Sequence, residues 1–132
     1  MKFISKTSVI ETHEFLIQKT GGESGILNEK QLDAALAMPM ATFADEFLHK
    51  DIFEMAAAYL FHICQAHAFV DGNKRIAFAI CRHFLLLNGY KLRMSQEGVE
   101  KLVLDIASSR LKDKAEIAGI LKAGCIKIAN PH

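Results

Sequence analysis

Nine consecutive residues, His67-Ala68-Phe69-Val70-Asp71-Gly72-Asn73-Lys74-Arg75, bring together an imidazole, a carboxylate, a glycine and two cations. A helix starting near Asn73 would present unpaired N–H groups and about half a positive charge in its first turn, where Lys74 and Arg75 are disfavoured unless an anion offsets them. A phosphate would do so. Gly72 permits close backbone approach, the N–H groups near Asn73 and Lys74 form an anion nest, and Arg75 offers a planar two-pronged donor. Asp71 would repel such a ligand without an intervening divalent cation, and magnesium is commonly held by one or two carboxylates together with substrate phosphates. His67, four residues before Asp71, is close enough to act as general base on an incoming hydroxyl. These parts describe phosphoryl or nucleotidyl transfer, in which positioning and charge neutralisation supply most of the catalysis.

Each residue also has a plainer reading. A histidine ending a helix can be a cap or a core residue, Asp71 and Asn73 suit loop and N-cap positions, and Lys74-Arg75 could be a solvated pair. Gly21, Gly22 and Gly25 would serve as a helix stop and turn. His62, Cys64, His67, Cys81 and His83 invite a zinc reading, because Cys64 and His67 share a helix face. Against it, His62 points away from that face, Cys81 and His83 do not converge, and the thiols fit the apolar stripes.

The chemistry needs two helices to hold it. Ile52, Met55, Ala56, Tyr59 and Ile63 recur at helical spacing after a capping pattern at Asp51, with Phe53, Ala57, Leu60 and Cys64 alongside. A further helix from about Asn73 to Asn88 carries Ile76, Ile80, Phe84 and Leu87 on one face and Phe78, Cys81 and Leu85 on another. Two consecutive helices that are apolar on several sides, joined by a short segment, predict an antiparallel hairpin at the centre of a bundle. Around it, Ser8-Val9-Ile10-Glu11 has capping-box form and predicts a helix over about 8–20, stopped by Gly21-Gly22. Asn28-Glu29-Lys30-Gln31 opens a short helix ending near Met38-Pro39. Asn88-Gly89 ends the long helix, Tyr90-Lys91-Leu92 is a short extended stretch, and Ser95 and Asp113 open two more helices. The expected class is all-α, a single domain over 1–132, with no chemistry in the tail from Lys122 to His132.

Composition bounds the partners. Lys and Arg number 16 against 15 Asp and Glu, a net charge of +1, which argues against a long contact with a nucleic-acid backbone. The longest apolar run, Ile76 to Cys81, falls far short of the roughly 18 residues of a membrane span, and the charged start leads into no signal-peptide core. Cys64, Cys81 and Cys125 are an odd number at wide spacing, suited to reduced thiols. The expectation is a cytoplasmic protein without membrane or direct nucleic-acid contact.

The nine-residue signature resembles that of the Fic/Doc fold family, specifically its death-on-curing toxin branch. The wider Fic pattern reads His-Pro-Phe-x-(Asp/Glu)-Gly-Asn-Gly-Arg, and here Ala68 replaces the proline and Lys74 the second glycine. Similarity extends to the Gly21-Gly22 turn, the helix with Leu32 and Leu36, and the Asn88-Gly89-Tyr90 exit. The resemblance implies a Fic-fold bundle of about six helices and a kinase-like toxin that uses Mg2+ and ATP or another nucleoside triphosphate. It would pass the γ-phosphate to a threonine of elongation factor Tu and so block translation. AMP transfer to a protein hydroxyl is the alternative, and a catalytically silent binding module is a reading of a different class. By carry-over, His67 is the base, Asp71 the magnesium ligand, Gly72 and Asn73 the phosphate nest, and Lys74 and Arg75 the phosphate clamps. Phe69 anchors the loop, and the stretch containing Gly21, Gly22 and Gly25 corresponds to a substrate flap. The family's self-inhibitory helix pattern is matched only partly at Glu97-Gly98, with Arg93 where a Ser or Thr belongs. A separate, Phd-like antitoxin is therefore implied, with a C-terminal segment that folds on binding.

Overall fold

The computed structural model describes residues 1–128; the last four residues of the tail lie outside the described residues. Among the described residues six α-helices run in the order α1 (Lys6–Thr20), α2 (Glu29–Ala37), α3 (Ile52–Ala66), α4 (Asn73–Leu87), α5 (Gln96–Ala107) and α6 (Lys114–Gly124). A 3-10 turn, Met38–Met40, follows α2, where Pro39 prevents the helix from continuing.

The expected hairpin of α3 and α4 forms the centre. Tyr59 meets Phe84 with ring centroids 5.0 Å apart, and Phe53 meets Tyr90 at 4.8 Å, so partners step in opposite directions along the two segments. Met55 through Leu60 have no exposed surface, because α2, α4, α5 and α6 all pack on α3. That enclosure is why its apolar residues occupy more than one helix face. The core is shared by residues from all six helices, from Val9 of α1 to Leu121 of α6.

The caps of α2, α3, α5 and α6 are those the sequence predicts. Asn28, Asp51 and Ser95 each accept from the backbone N–H three residues on, and Asp113 accepts from Ala115. Helix α1 departs from expectation. Its cap is Ser5, whose Oγ accepts from the Ser8 N–H at 3.1 Å, so the helix begins two residues before the predicted start. The reason lies in the flanking residues. Ile4 and Val9, immediately before the cap and four into the helix, are both buried as a hydrophobic staple, and the Ile4 N–H donates to the Tyr59 hydroxyl at 3.0 Å.

The helical class holds, with two small additions. Tyr90–Leu92 (β3) pairs antiparallel with Cys125–Lys127 (β4), in register Tyr90 to Lys127 and Leu92 to Cys125, so part of the tail closes against the exit of α4. Thr42–Phe43 (β1) and Glu46–Phe47 (β2) form a hairpin that sequence reading does not anticipate. Its two turn residues, Ala44 and Asp45, have φ of 53° and 64°, the left-handed geometry usually supplied by Asn-Gly. No described helix is long and apolar enough to cross a membrane.

Candidate active site at the turn of the central hairpin

The connection between α3 and α4 is fastened from three sides. Phe69 is buried, and Asn73 brackets its main chain: the Asn73 Oδ1 accepts from the Phe69 N–H and its Nδ2 donates to the Phe69 carbonyl, both at 3.0 Å. On a second side the segment after α1 runs alongside. The N–H groups of Leu27 and Asn28 donate to the Ala68 carbonyl at 2.7 and 2.9 Å, and the Val70 N–H donates to the Gly25 carbonyl at 3.1 Å. On the third side lies α1. His13 is 2% exposed, stacks on Phe69 with centroids 3.9 Å apart, and places Nε2 2.7 Å from the Asp71 carbonyl oxygen. A carbonyl only accepts, so Nε2 carries the proton and donates.

This fastening presents the polar side chains to one cleft of about 220 Å³, lined by His67, Asp71, Gly72, Asn73, Lys74 and Arg75, with Ala107 of α5 also at its wall. His67 is exposed and caps α3 in the left-handed region, φ 47° and ψ 44°, a position that glycine ordinarily takes. Holding a histidine there costs about 1 kcal/mol, so the geometry is imposed by the loop on both sides. Asp71 is also exposed. Its Oδ1 accepts from the Gly72 N–H at 2.8 Å and its Oδ2 from the Glu23 N–H at 3.4 Å. Gly22, with φ 111°, makes that approach possible: a Cβ there would lie 2.6 Å from the Asp71 Oδ2.

Gly72 is the residue before α4, with φ 75°. The first intrahelical bond runs from the Ile76 N–H to the Gly72 carbonyl at 2.9 Å, so the N–H groups of Asn73, Lys74 and Arg75 open the helix ahead of the ladder. Of the N–H groups expected to form an anion nest, those of Asn73 and Lys74 are open at the helix start and that of Gly72 is not. The Gly72 N–H is taken by Asp71, and the Asn73 side chain is taken by Phe69. Lys74 is exposed. Arg75 is half-buried, and its Nη1 donates to the Thr20 Oγ and, at 3.3 Å, to the Gly21 carbonyl at the C-terminus of α1. Its Nη2 faces Gly72, 3.7 Å from where a Cβ would stand.

The structure therefore brings His67, Asp71, Gly72, Asn73, Lys74 and Arg75 together and sets the glycine segment beside them: the Gly21 carbonyl accepts from Arg75, the Gly25 carbonyl accepts from Val70, and Gly22 passes close to Asp71. Sequence reasoning overlooks α1. His13, Ile17 and Thr20 form one stripe beneath the loop: Ile17 would crowd a Cβ on Gly72 at 3.1 Å, and Thr20 holds Arg75 while donating to the Leu16 carbonyl at 2.7 Å. The available signal was their spacing of four and then three residues. A larger groove of about 520 Å³ adjoins the cleft, sharing Lys74 and Arg75, with Leu16, Phe78, Val99 and Val103 as its apolar wall.

The residues of the zinc reading lie apart in chemistry. The Cys64 Sγ faces the Val103 carbonyl at 3.8 Å, and burial pushes the thiols of Cys64 and Cys81 up, so both stay protonated. His62 accepts from the Lys114 ammonium at 3.0 Å; burial, then Lys114, lowers its pKa to about 4.

A mostly helical bundle with this loop at the turn of its central hairpin defines a Fic-type protein. The Fic/DOC family model matches residues 3–85, from the approach to α1 through most of α4, and the chain belongs to the Fic/DOC family. It is similar to Toxin Doc of Mycolicibacterium smegmatis, 35% identical over 108 residues that cover 78% of this chain and 83% of the relative. It is also similar to Protein kinase doc of Escherichia phage P1, 33% identical over 97 residues, covering 74% of this chain and 76% of that protein.

Proposed function

We propose that this chain is the toxin of a toxin–antitoxin pair, transferring the γ-phosphate of ATP or another nucleoside triphosphate to a protein hydroxyl. The substrate in this reading is a threonine of elongation factor Tu, and translation stops as a result. The observation that carries it is the cleft in which an exposed imidazole and an exposed carboxylate flank the open N–H groups of α4. Names of the two relatives, a toxin and a protein kinase, support the same reading.

In the proposed reaction His67 takes the proton of the attacking hydroxyl as its oxygen bonds to the terminal phosphorus, and the nucleoside diphosphate leaves. The N–H groups of Asn73, Lys74 and Arg75 receive phosphate oxygens, and the Lys74 ammonium and Arg75 guanidinium neutralise their charge. A single hard carboxylate beside a phosphate site suits magnesium, which draws its other ligands from phosphate oxygens and water, and Asp71 would hold it. When bound, that ion would neutralise charge on the phosphates. The segment with Gly21, Gly22 and Gly25 would act as a flap, aligning an extended target peptide through its backbone; its bonds to the loop at Arg75 and Val70 support this reading.

Lys74 favours the γ-phosphate over AMP transfer. A lysine fills the room that glycine leaves for inner phosphates in the AMP-transferring pattern, and its point charge suits a terminal phosphate. The adjoining apolar groove offers a surface for a folding segment of a Phd-like antitoxin. Incubation of the purified protein with a bacterial lysate should move label to one protein from γ-labelled ATP and not from α-labelled ATP. Transfer of the α label would replace the kinase reading with AMP transfer, and no transfer of either would leave a binding module.

A further inference from the structure

We infer that His13 is a positioning residue for the active-site loop, acting as a fixed N–H donor that sets the Asp71–Gly72 peptide. The inference rests on the phosphotransfer reading for its consequence in catalysis, though not for its geometry.

Three observations converge on it. First, His13 is a polar side chain in the middle of α1, 2% exposed, whose Nε2 hydrogen bond is made to the loop across 58 positions of sequence. Burying an imidazole among apolar groups is unfavourable unless its polar atoms are satisfied, so that bond is part of why the residue can be there. Second, the acceptor is the carbonyl of Asp71, the residue whose carboxylate faces the cleft. In a trans peptide the carbonyl and the following N–H point in opposite directions. Drawing the Asp71 carbonyl down onto α1 therefore turns the Gly72 N–H up, where it meets the Asp71 Oδ1 at 2.8 Å. The carboxylate is thus aimed by a bond on the far side of the same peptide. Third, the ring is itself immobilised. It lies nearly parallel to Phe69, at 17° and 3.9 Å, and Phe69 is clamped by Asn73. A donor held this way cannot follow the loop if the peptide flips, and the left-handed φ of Gly72 leaves that peptide otherwise free to do so.

The role separates from simple packing by comparing two side chains of nearly equal shape. His13→Gln keeps an N–H donor on a flexible stem, and His13→Met removes the donor with similar volume. Both are measured for melting temperature, for turnover and KM of ATP, and for exchange of the Gly72 amide hydrogen without nucleotide. The Met variant should retain a cooperative fold, lose roughly tenfold to a hundredfold in kcat with KM changed by less than about threefold, and exchange the Gly72 amide faster. The Gln variant should recover most of the lost turnover and protection. Equal turnover and protection in Met and wild type, or equal losses in Gln and Met, would overturn the inference. Should the Met variant fail to fold, His13→Phe, which preserves the stacking, takes its place under the same criteria. If the wild-type protein transfers no phosphate, the function reading fails by itself, and Gly72 amide protection across the same variants still decides whether His13 sets the peptide.

Discussion

Two connections in this protein face opposite problems. The turn between α3 and α4 spans two buried helices, buries Ala68 and Phe69 itself, and is bonded to α1, to α4 and to the segment after α1. The β1–β2 hairpin between α2 and α3 is exposed throughout, with Phe43 79% accessible and only two paired positions. Both contain non-glycine residues in left-handed geometry: His67 in the first, Ala44 and Asp45 in the second. In the turn, neighbours on several sides hold the unfavourable backbone, as they would where function requires it. The hairpin is held by its strand pairing, the Leu48 N–H bond to the Ala41 carbonyl and a ring contact of Phe47 with Phe3 at 5.7 Å, so its turn has far fewer neighbours to impose the backbone.

The sharpest break of that contrast is His67→Ala. Transfer should fall by about a hundredfold or more while circular dichroism and melting stay near wild type, because the imidazole is exposed and holds no other element in place. Asn73→Ala should do the reverse kind of damage. It leaves the Phe69 N–H and carbonyl without partners in a half-buried site, so unfolding free energy should drop by about 1–3 kcal/mol in urea titration, and turnover should fall with it. His67→Gly should prove more stable than His67→Ala by about 1 kcal/mol, since glycine relieves the left-handed strain that alanine keeps.

A pH titration separates the loop from the helix that carries it. His62 and His49 both have lowered pKa values, with burial as the leading cause and Lys114 next. Between about 6.5 and about 4 the unfolded His62 binds a proton that the folded one refuses, so stability is full above 6.5 and declines as pH falls through that window. His62→Gln should flatten the decline, read as melting temperature against pH. Phe43→Ser marks the other end of the scale: stability should move by no more than about 0.5 kcal/mol, since the ring is already in water.

Much of this was legible because it depends on residue type. Asn28, Asp51, Ser95 and Asp113 advertise helix starts by side-chain chemistry, and the apolar periodicity of α3 and α4 announces a central hairpin. That the signature residues share one cleft was legible too, because a short loop between two helices gathers them. What escaped depends on tertiary context. Ser5 outcompetes Ser8 as a cap because Ile4 is drawn into the core beside Tyr59. Strand β4 exists because β3 offers an edge, and three residues without strong patterning cannot declare a partner. His13 and Thr20 share one face with Ile17 by spacing, but their residue types do not declare a partner, since a histidine inside a helix reads as core and a threonine near its end as surface. The second use of Asn73 was not legible either: its side-chain amide brackets the Phe69 main chain, a contact that only the folded loop creates.

The packing of α3 has a consequence for the order in which the molecule is made. Among the described residues no helix apart from α4 covers α3 more extensively than α6, yet α6 supplies nothing to the walls of the candidate cleft. When synthesis has reached Leu87, every residue of the signature is already present, while the flank of α3 that α6 covers is still bare. At about 5–20 residues per second, the helix that closes it follows seconds later. Until then a greasy helix waits for a distant partner, a non-local closure of the kind that slows folding and exposes a chain to chaperones. The parts of the site are thus written early and locked late, and a truncation before α6 would keep the whole signature while losing the wall behind it.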